Sequence, residues 1–103
     1  MTASKSSTAI LLGILLAAAA SPALAYTGEE FAKDAKVTLI QARAIALKAH
    51  PGKIVDEELE REKGGSGLRY SFDIRHGKAT QEVGVDAKTG DVLENSLEGP
   101  NPD

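Results

Sequence analysis

A capped helix pattern followed by alternating strand patterns fills residues 37–93 and limits what this chain can fold into. Thr38 and Gln41 have the spacing of a capping box, in which each side chain binds the free backbone N–H group of the other residue. The helix pattern continues to His50 and ends at Pro51-Gly52, because proline cannot donate the hydrogen bond that a further turn requires. One helix is therefore predicted at the start of this region.

Apolar and polar residues then alternate along the chain, which is the period of a strand with one buried face. The alternation is clearest in residues 68–75 and is repeated in 79–86, with the tight hairpin signal His76-Gly77-Lys78 between them. A first strand is predicted in 53–62 and a short last strand from Asp91. The predicted fold class is α+β, with one α-helix packed on an antiparallel β-meander of three to four strands.

The core is expected where the apolar faces of the hairpin and the helix meet. Pairing of the two central strands places five apolar side chains on one face: Tyr70, Phe72, Ile74, Val83 and Val85. At about 100° per residue, one arc of the helix carries Leu39, Ala42, Ile45, Ala46 and Ala49. A second, smaller strip consists of Ile40, Ala44 and Leu47. One helix on one small sheet cannot bury both, so something else should cover the second strip.

Two readings of this second strip remain open. In one, the N-terminal segment 26–36 folds back and Phe31 packs on the strip, because burial of an aromatic side chain strengthens so small a core. In the other, Phe31 stays mobile and the strip is a surface that binds a partner. The candidate partner-binding residues are Ile40, Ala44, Leu47 and Phe31.

Residues 1–25 have the pattern of a secretory signal peptide. Lys5 precedes an apolar run from Thr8 to Ala20, which is shorter than a membrane span of about 20 residues. Small residues in Ser21-Pro22-Ala23-Leu24-Ala25 fit the positions that signal peptidase reads. We predict cleavage before Tyr26 and a periplasmic or secreted product with no stable membrane anchor.

Three parts are predicted after the signal peptide: an N-terminal segment 26–36, a folded domain 37–93 and a disordered acidic tail 94–103. The tail prediction depends on the polar and acidic composition of these last residues and on their two prolines, Pro100 and Pro102.

The chain has 103 residues, of which 12 are basic and 15 are acidic, and it has no cysteine. This acidic balance argues against a nucleic-acid partner, which would need Lys and Arg to neutralise its phosphates. A small domain without disulfides has to be stabilised by packing alone or by a partner.

The chain lacks the residue patterns of the common catalytic and cofactor sites. It has no cysteine, no serine in a strand-turn-helix elbow, and no lysine after the glycine-rich loop 64–67 to make it a phosphate site. His50 and His76 are the only imidazoles, and a zinc site would need carboxylates to complete it. We expect no enzyme activity, no metal and no cofactor.

An acidic run, Asp56-Glu57-Glu58 with Glu60 and Glu62, could suggest calcium, but it lacks the glycine and the spacing of a calcium-binding loop. Arg69 and Arg75 should lie on the outer face of the neighbouring strand and oppose some of these acids as cross-strand pairs. A solvated, charge-complementary sheet face is the preferred interpretation.

The order of these patterns resembles the PepSY domain family. The resemblance depends on the helix sequence Leu-x-x-Ala-x-x-x-Ala, the Pro-Gly stop, the Tyr-x-Phe-x-Ile strand and the closing sequence Val85 to Leu93, and it covers Val37 to Leu93. PepSY domains occur in propeptides of secreted metallopeptidases, so the resemblance implies inhibition or folding assistance, and they also occur as small stand-alone periplasmic proteins. The family has no established catalytic residues to carry over.

Glu57 departs from the family pattern, which usually has an apolar residue at this position of the first strand. The residue is in phase with Val55 and Leu59, which are apolar. Either this end of the strand lies beyond the core, or Glu57 is paired, with Arg43 as the candidate partner.

Two functions from different classes remain. The first is a non-catalytic protein-binding module that inhibits or modulates an exported peptidase or another envelope protein. Sheet edges and an incompletely covered helix favour it, because an unpaired edge is a template for a partner's backbone. The alternative is a periplasmic accessory or sensor domain that binds a small ligand or ion.

Overall fold

The computed structural model describes residues 25–99, so the predicted signal peptide before Ala25 and the last four residues lie outside the described part. The chain forms a 3-10 helix at Glu29–Asp34, helix α1 at Leu39–Ala49, and strands β1 at Lys53–Arg61, β2 at Leu68–His76, β3 at Ala79–Asp86 and β4 at Val92–Leu97. The strands form one antiparallel sheet in the order β1-β2-β3-β4. This is the predicted α+β meander.

Helix α1 begins and ends where the sequence predicts. The Gln41 backbone N–H donates to Thr38 Oγ1 at 3.1 Å, and the Thr38 N–H donates to Gln41 Oε1 at 2.9 Å, which completes the capping box. At the other end, the His50 N–H donates to the Ala46 carbonyl at 2.8 Å, and His50 itself has an extended backbone. Proline at the next position prevents a further turn.

The central hairpin has the predicted register. Tyr70 lies opposite Val85 and Phe72 lies opposite Val83, so these apolar side chains share the face that α1 covers. Gly77 in the two-residue turn has a φ of +65°, which a glycine adopts without steric cost. The parity of the two strands therefore decides which side chains are buried.

The sheet is covered on one face by a helical layer in two pieces. The backbone of α1 lies close to β2, β3 and β4, whereas that of the 3-10 helix lies close to β1. Ala42 and Ala46 are both completely buried against the sheet. Their short side chains allow the α1 backbone to approach the strands closely.

The prediction that Phe31 packs on the second strip of α1 is wrong. Phe31 packs against the core beside β1, and the Arg61 guanidinium lies 5.0 Å from the centre of its ring. Arg61 also donates to Asp34 at 2.7 Å, and Thr27 forms a parallel bridge with Glu58. The physical reason is that the backbone of α1 lies over β2, β3 and β4 and reaches β1 through the Arg43 side chain, so the N-terminal segment buries apolar surface over β1.

The predicted disordered tail is also corrected for the residues that the structure describes. Residues Glu94 to Leu97 belong to β4, and the Glu98 N–H continues the pairing by donating to the Thr80 carbonyl at 2.9 Å. Backbone pairing with β3 holds this segment although Glu94, Asn95 and Ser96 lack an apolar alternation. Residues 100–103 of the predicted tail lie outside the described range.

Candidate functional site

A shallow groove lies between the 3-10 helix and the first turn of α1. Its volume is about 260 Å³, and the residues that line it are Tyr26, Glu29, Ala32, Thr38, Leu39, Ile40 and Arg43. Ile40 is 71% exposed, although it is a large aliphatic residue at the start of a helix that packs on a core. The groove therefore combines an uncovered apolar side chain with a concave, partly apolar surface.

The four predicted partner-binding residues are not brought together. Ile40 lines the groove and Ala44 is exposed on the same helix, whereas Leu47 is partly buried against the core. Phe31 lies over β1. The groove instead gains Tyr26 and Ala32 from the N-terminal segment. The sequence signal for Ala32 is weak, because a 3-10 helix does not follow the period of an α-helix, and Tyr26 precedes that helix.

An ion pair links Arg43, which lines the groove, to Glu57 on β1. Arg43 Nε donates to Glu57 Oε1 at 2.8 Å, and Arg43 Nη2 donates to Glu57 Oε2 at 2.6 Å. The predicted pairing of Glu57 with Arg43 is thus confirmed. The pair fixes the Arg43 side chain at the edge of the groove, and Glu57 raises the pKa of Arg43 through this hydrogen bond.

Two tyrosines connect the groove to the core. Tyr70 is buried, and its hydroxyl donates to the Val37 carbonyl at 2.7 Å, which joins β2 to the chain just before α1. Burial raises the pKa of Tyr70 to about 12, and the neighbouring Tyr26 phenol adds to this shift. The pKa of Tyr26 is raised as well, by burial and then by Glu29 and Glu57. Both phenols are therefore neutral hydrogen-bonding groups at physiological pH.

The opposite face of the sheet carries a row of acids. Asp56, Asp73 and Glu82 lie directly opposite one another on β1, β2 and β3. Carboxylate oxygens of Asp73, Glu82 and Glu98 lie within 4.8 Å of one another. Like charges directly opposite in a sheet destabilise it, so this row has a cost in stability when ionised. Part of this acidic row could be predicted from the register of the central hairpin, because that register places Asp73 opposite Glu82.

Burial and mutual repulsion both act on the acidic row. The pKa of Asp73 is raised, first by burial and then by Glu98 and Asp56. The pKa of Glu82 is raised by burial and then by Glu94 and the other carboxylates around it. These groups can therefore hold a proton more readily than ordinary surface acids.

The predicted arginine pairing is partly wrong. Arg69 lies opposite an acid of the run, Glu60, as predicted, but its guanidinium contacts Glu94 on β4 at 3.4 Å. Arg75 lies opposite Lys53, which is also a cation. The sequence does not show the bulge in β1 between Ile54 and Asp56, which shifts this end of the register.

The residues considered for metal binding do not form one site. The rings of His50 and His76 lie edge to face with their centres 6.4 Å apart. In the acidic run, the Glu57 carboxylate is held by Arg43 on the helix side of the sheet. Within residues 25–99, the sole group of three or more potential metal ligands that lie close together is Asp73, Glu82 and Glu98. Such acidic groups are common without an ion.

None of the helices within residues 25–99 has the length and apolar character needed to cross a membrane. No curated protein and no solved structure is similar enough to the chain to count as a match. A family model, described as the peptidase propeptide and YPEB domain, matches residues 36–95, which is more than half of the chain. The matched residues contain α1, the whole of β1 to β3 and most of β4. The chain therefore belongs to the PepSY family.

Proposed function

We propose that this protein is a non-catalytic, exported module that binds an exported peptidase or another envelope protein and inhibits or modulates it. The observation that carries the proposal is the exposed Ile40 side chain beside the groove. An aliphatic side chain at a concave surface favours protein binding, because a partner can bury it and gain the hydrophobic free energy. The family supports the peptidase class, because PepSY domains occur in peptidase propeptides.

Export is part of the proposal and depends on the sequence alone. The apolar run from Thr8 to Ala20 and the small residues up to Ala25 favour cleavage before Tyr26. Mass spectrometry of the protein recovered from the periplasm would give a mass that begins at Tyr26. A full-length mass in the cytoplasm would overturn the export proposal.

Protein binding is preferred to the alternative of a sensor or accessory domain for a small ligand or ion. Small-ligand sites usually enclose most of the ligand and direct a few polar groups towards it. The groove at Ile40 is shallow and open, and both polar and apolar residues line it. Such a surface suits one side chain of a protein partner better than a whole small molecule.

The test is a comparison of two neighbouring variants of α1. Ile40→Glu places a charge at the groove, whereas Gln41→Glu places the same charge on an exposed neighbour and serves as the control. The purified protein is added to the secreted peptidases of the same organism, and proteolysis is measured. We expect the wild type and Gln41→Glu to reduce proteolysis and Ile40→Glu to lose at least ten-fold in potency.

A photo-crosslinking side chain at position 40 identifies partners other than peptidases in the cell envelope. We expect a specific crosslinked protein at position 40 and none at position 62, which is exposed on the loop after β1. Equal crosslinking at both positions, together with unchanged proteolysis, would overturn the proposed function.

A further inference from the structure

Strand β4 is an open edge of the sheet. Within residues 25–99, it pairs with β3 on one side and has no strand on the other. The Glu98 N–H points inwards and donates to Thr80. Backbone groups alternate in direction along an antiparallel strand, so those of Asn95 and Leu97 point outwards. These outward groups are a template for the backbone of an added strand.

The other edge of the sheet is less available. The Leu59 N–H of β1 already donates to the Thr27 carbonyl at 2.9 Å, and Thr27 forms a parallel bridge with Glu58. The rest of β1 contains the bulge between Ile54 and Asp56, which interrupts regular pairing. The stretch from Glu94 to Leu97 has no such interruption in its register with β3.

The two faces of β4 differ in chemistry. Leu97 lies opposite Gln81 on the face that carries α1, and it is 67% exposed. On the other face, the carboxylates nearest to β4 are those of Glu82, Glu94 and Glu98, and Glu94 is the one that contacts Arg69. An added strand would therefore meet an apolar side chain on one face and acids on the other.

We propose that β4 accepts an extended segment of the partner protein in which apolar residues alternate with Lys or Arg. Side chains of a strand point to opposite faces in turn, so the apolar residues would pack beside Leu97 and the basic residues would face the acids. This deepens the proposed function and rests on it for the identity of the partner. A second copy of this chain is disfavoured as the occupant, because pairing of two β4 strands would bring their acids together.

The probe is a synthetic eight-residue peptide of alternating Lys and Val, added to the exported, processed protein. Backbone amide exchange is measured by NMR with and without the peptide. We expect saturable binding and at least ten-fold slower exchange at the amides of Asn95 and Leu97. Protection confined to other residues, or no binding at millimolar peptide, would overturn the proposal.

Peptide controls separate strand addition from simple charge attraction. A peptide with the same composition but four Lys followed by four Val keeps the charge and loses the alternation. A Glu-Val peptide keeps the alternation and reverses the charge. Methylation of alternate backbone amides removes the hydrogen bonds. We expect each change to weaken binding at least ten-fold, and equal affinity of any of them would contradict the proposal.

Protein variants test the same surface. Leu97→Lys introduces a cation on the apolar face, and Asn95→Pro removes an outward N–H that β3 does not use. Val55→Lys on β1 is the matched control, because Val55 is also exposed on an edge strand. We expect the first two variants to bind the Lys-Val peptide at least ten-fold more weakly at unchanged thermal stability. If Asn95→Pro fails to fold, the test depends on Leu97→Lys alone. Binding of the Lys-Val peptide by Leu97→Lys with the affinity of the wild type would contradict the proposal.

The outcomes also distinguish this inference from the proposed function. Peptide binding at β4 by a protein that affects no peptidase and crosslinks to no envelope protein would support the edge and overturn the function. Inhibition of a peptidase by a protein that does not bind the peptide would support the proposed function and overturn the inference about β4. Formation of a dimer that Leu97→Lys abolishes would make a second copy the occupant and overturn the proposed partner.

Discussion

The Arg43 guanidinium of α1 and the Glu57 carboxylate of β1 form an ion pair with two hydrogen bonds, of 2.8 and 2.6 Å. Glu57 lies opposite Phe72, on the face of the sheet that the helical layer covers. Its side chain is 19% exposed and that of Arg43 is 35% exposed. An acid is tolerated at this inward-facing position because the guanidinium neutralises it and satisfies both oxygens.

Glu57→Gln should lower the free energy of unfolding by about 1–2 kcal/mol, because it leaves a partly buried guanidinium without its counter-charge. Chemical denaturation of the variant measures this change. Glu58→Gln is the matched control, since Glu58 lies on the next position of the same strand. An equal loss in both variants would mean that the ion pair has no special effect.

The double variant Arg43→Met/Glu57→Leu completes the test. Replacement of both charges by apolar groups of similar size removes the desolvation cost together with the attraction. We therefore expect the double variant to be closer to the wild type than Glu57→Gln is. If the losses of stability in Arg43→Met and in Glu57→Leu added up to the loss in the double variant, this would contradict a direct interaction between the two residues.

Asp86 joins two loops that are distant in sequence. It is 1% exposed and accepts hydrogen bonds from Ser66 N and Ser66 Oγ, both at 2.7 Å, and from the backbone of Lys88 and Thr89. Burial alone would raise the pKa of Asp86, but these donors lower it to about 2. The loop 64–67 is therefore anchored at Ser66, although its glycines suggest a mobile segment.

Asp86→Asn should destabilise the protein by about 3 kcal/mol, because the amide nitrogen would face backbone donors that need an acceptor. Hydrogen exchange should show that the Ser66 and Gly67 amides lose protection together with those that follow Asp86. Asp91→Asn is the control, since Asp91 is exposed at the start of the same return to β4. A stable variant with an unchanged 64–67 loop would contradict this role.

The sequence predicts the elements whose signals are local. The capping box at Thr38, the stop at Pro51 and the parity of the central hairpin each involve neighbouring residues, and the structure contains all three. Phe31 contacts Arg61, which lies thirty positions further along the chain. No periodic sequence pattern predicts such a contact. For the candidate site, the sequence places Ile40 in a strip that one small sheet cannot bury, but it does not decide whether Phe31 covers that strip. The other wall of the groove depends on that same docking.

The second half of β4 escapes prediction for a different reason. Glu94, Asn95 and Ser96 give no apolar alternation, because side chains on both faces of this edge strand are accessible to water. Backbone pairing with β3 is what orders them, and backbone groups have no sequence signature. The same openness is what makes the edge available to a partner.

Acidification should first stabilise and then destabilise the protein. The raised pKa values of Asp73 and Glu82 mean that the folded state takes up protons at a higher pH than the unfolded state, whose values are near 3.8 and 4.5. Stability from these groups is thus gained as the pH falls from neutral towards about 4. The lowered pKa of Asp86 acts in the opposite sense, and its contribution is lost between about pH 4 and the folded value of about 2.

Urea denaturation at a series of pH values should therefore give a maximum of stability near pH 4. Asp73→Asn removes one ionised member of the row and should raise stability at pH 7 by about 0.5–1 kcal/mol, with a flatter profile above pH 4. Glu62→Gln is the control and should leave the profile unchanged, because Glu62 is exposed and lies outside the acidic row. A monotonic rise in stability up to neutral pH in the wild type would contradict the repulsion.

Phe31 and Ile40 should respond in opposite ways to truncation. Phe31 is partly buried against the core and stacks with Arg61, so Phe31→Ala should cost about 2 kcal/mol of stability. Ile40 is 71% exposed, so Ile40→Ala should change stability by less than about 0.5 kcal/mol while it weakens partner binding. Thermal denaturation and crosslinking of the two variants measure both quantities. The opposite result would be an Ile40→Ala variant that loses stability and a Phe31→Ala variant that loses only partner binding. It would mean that Ile40 stabilises the fold and that the interface lies at the N-terminal segment.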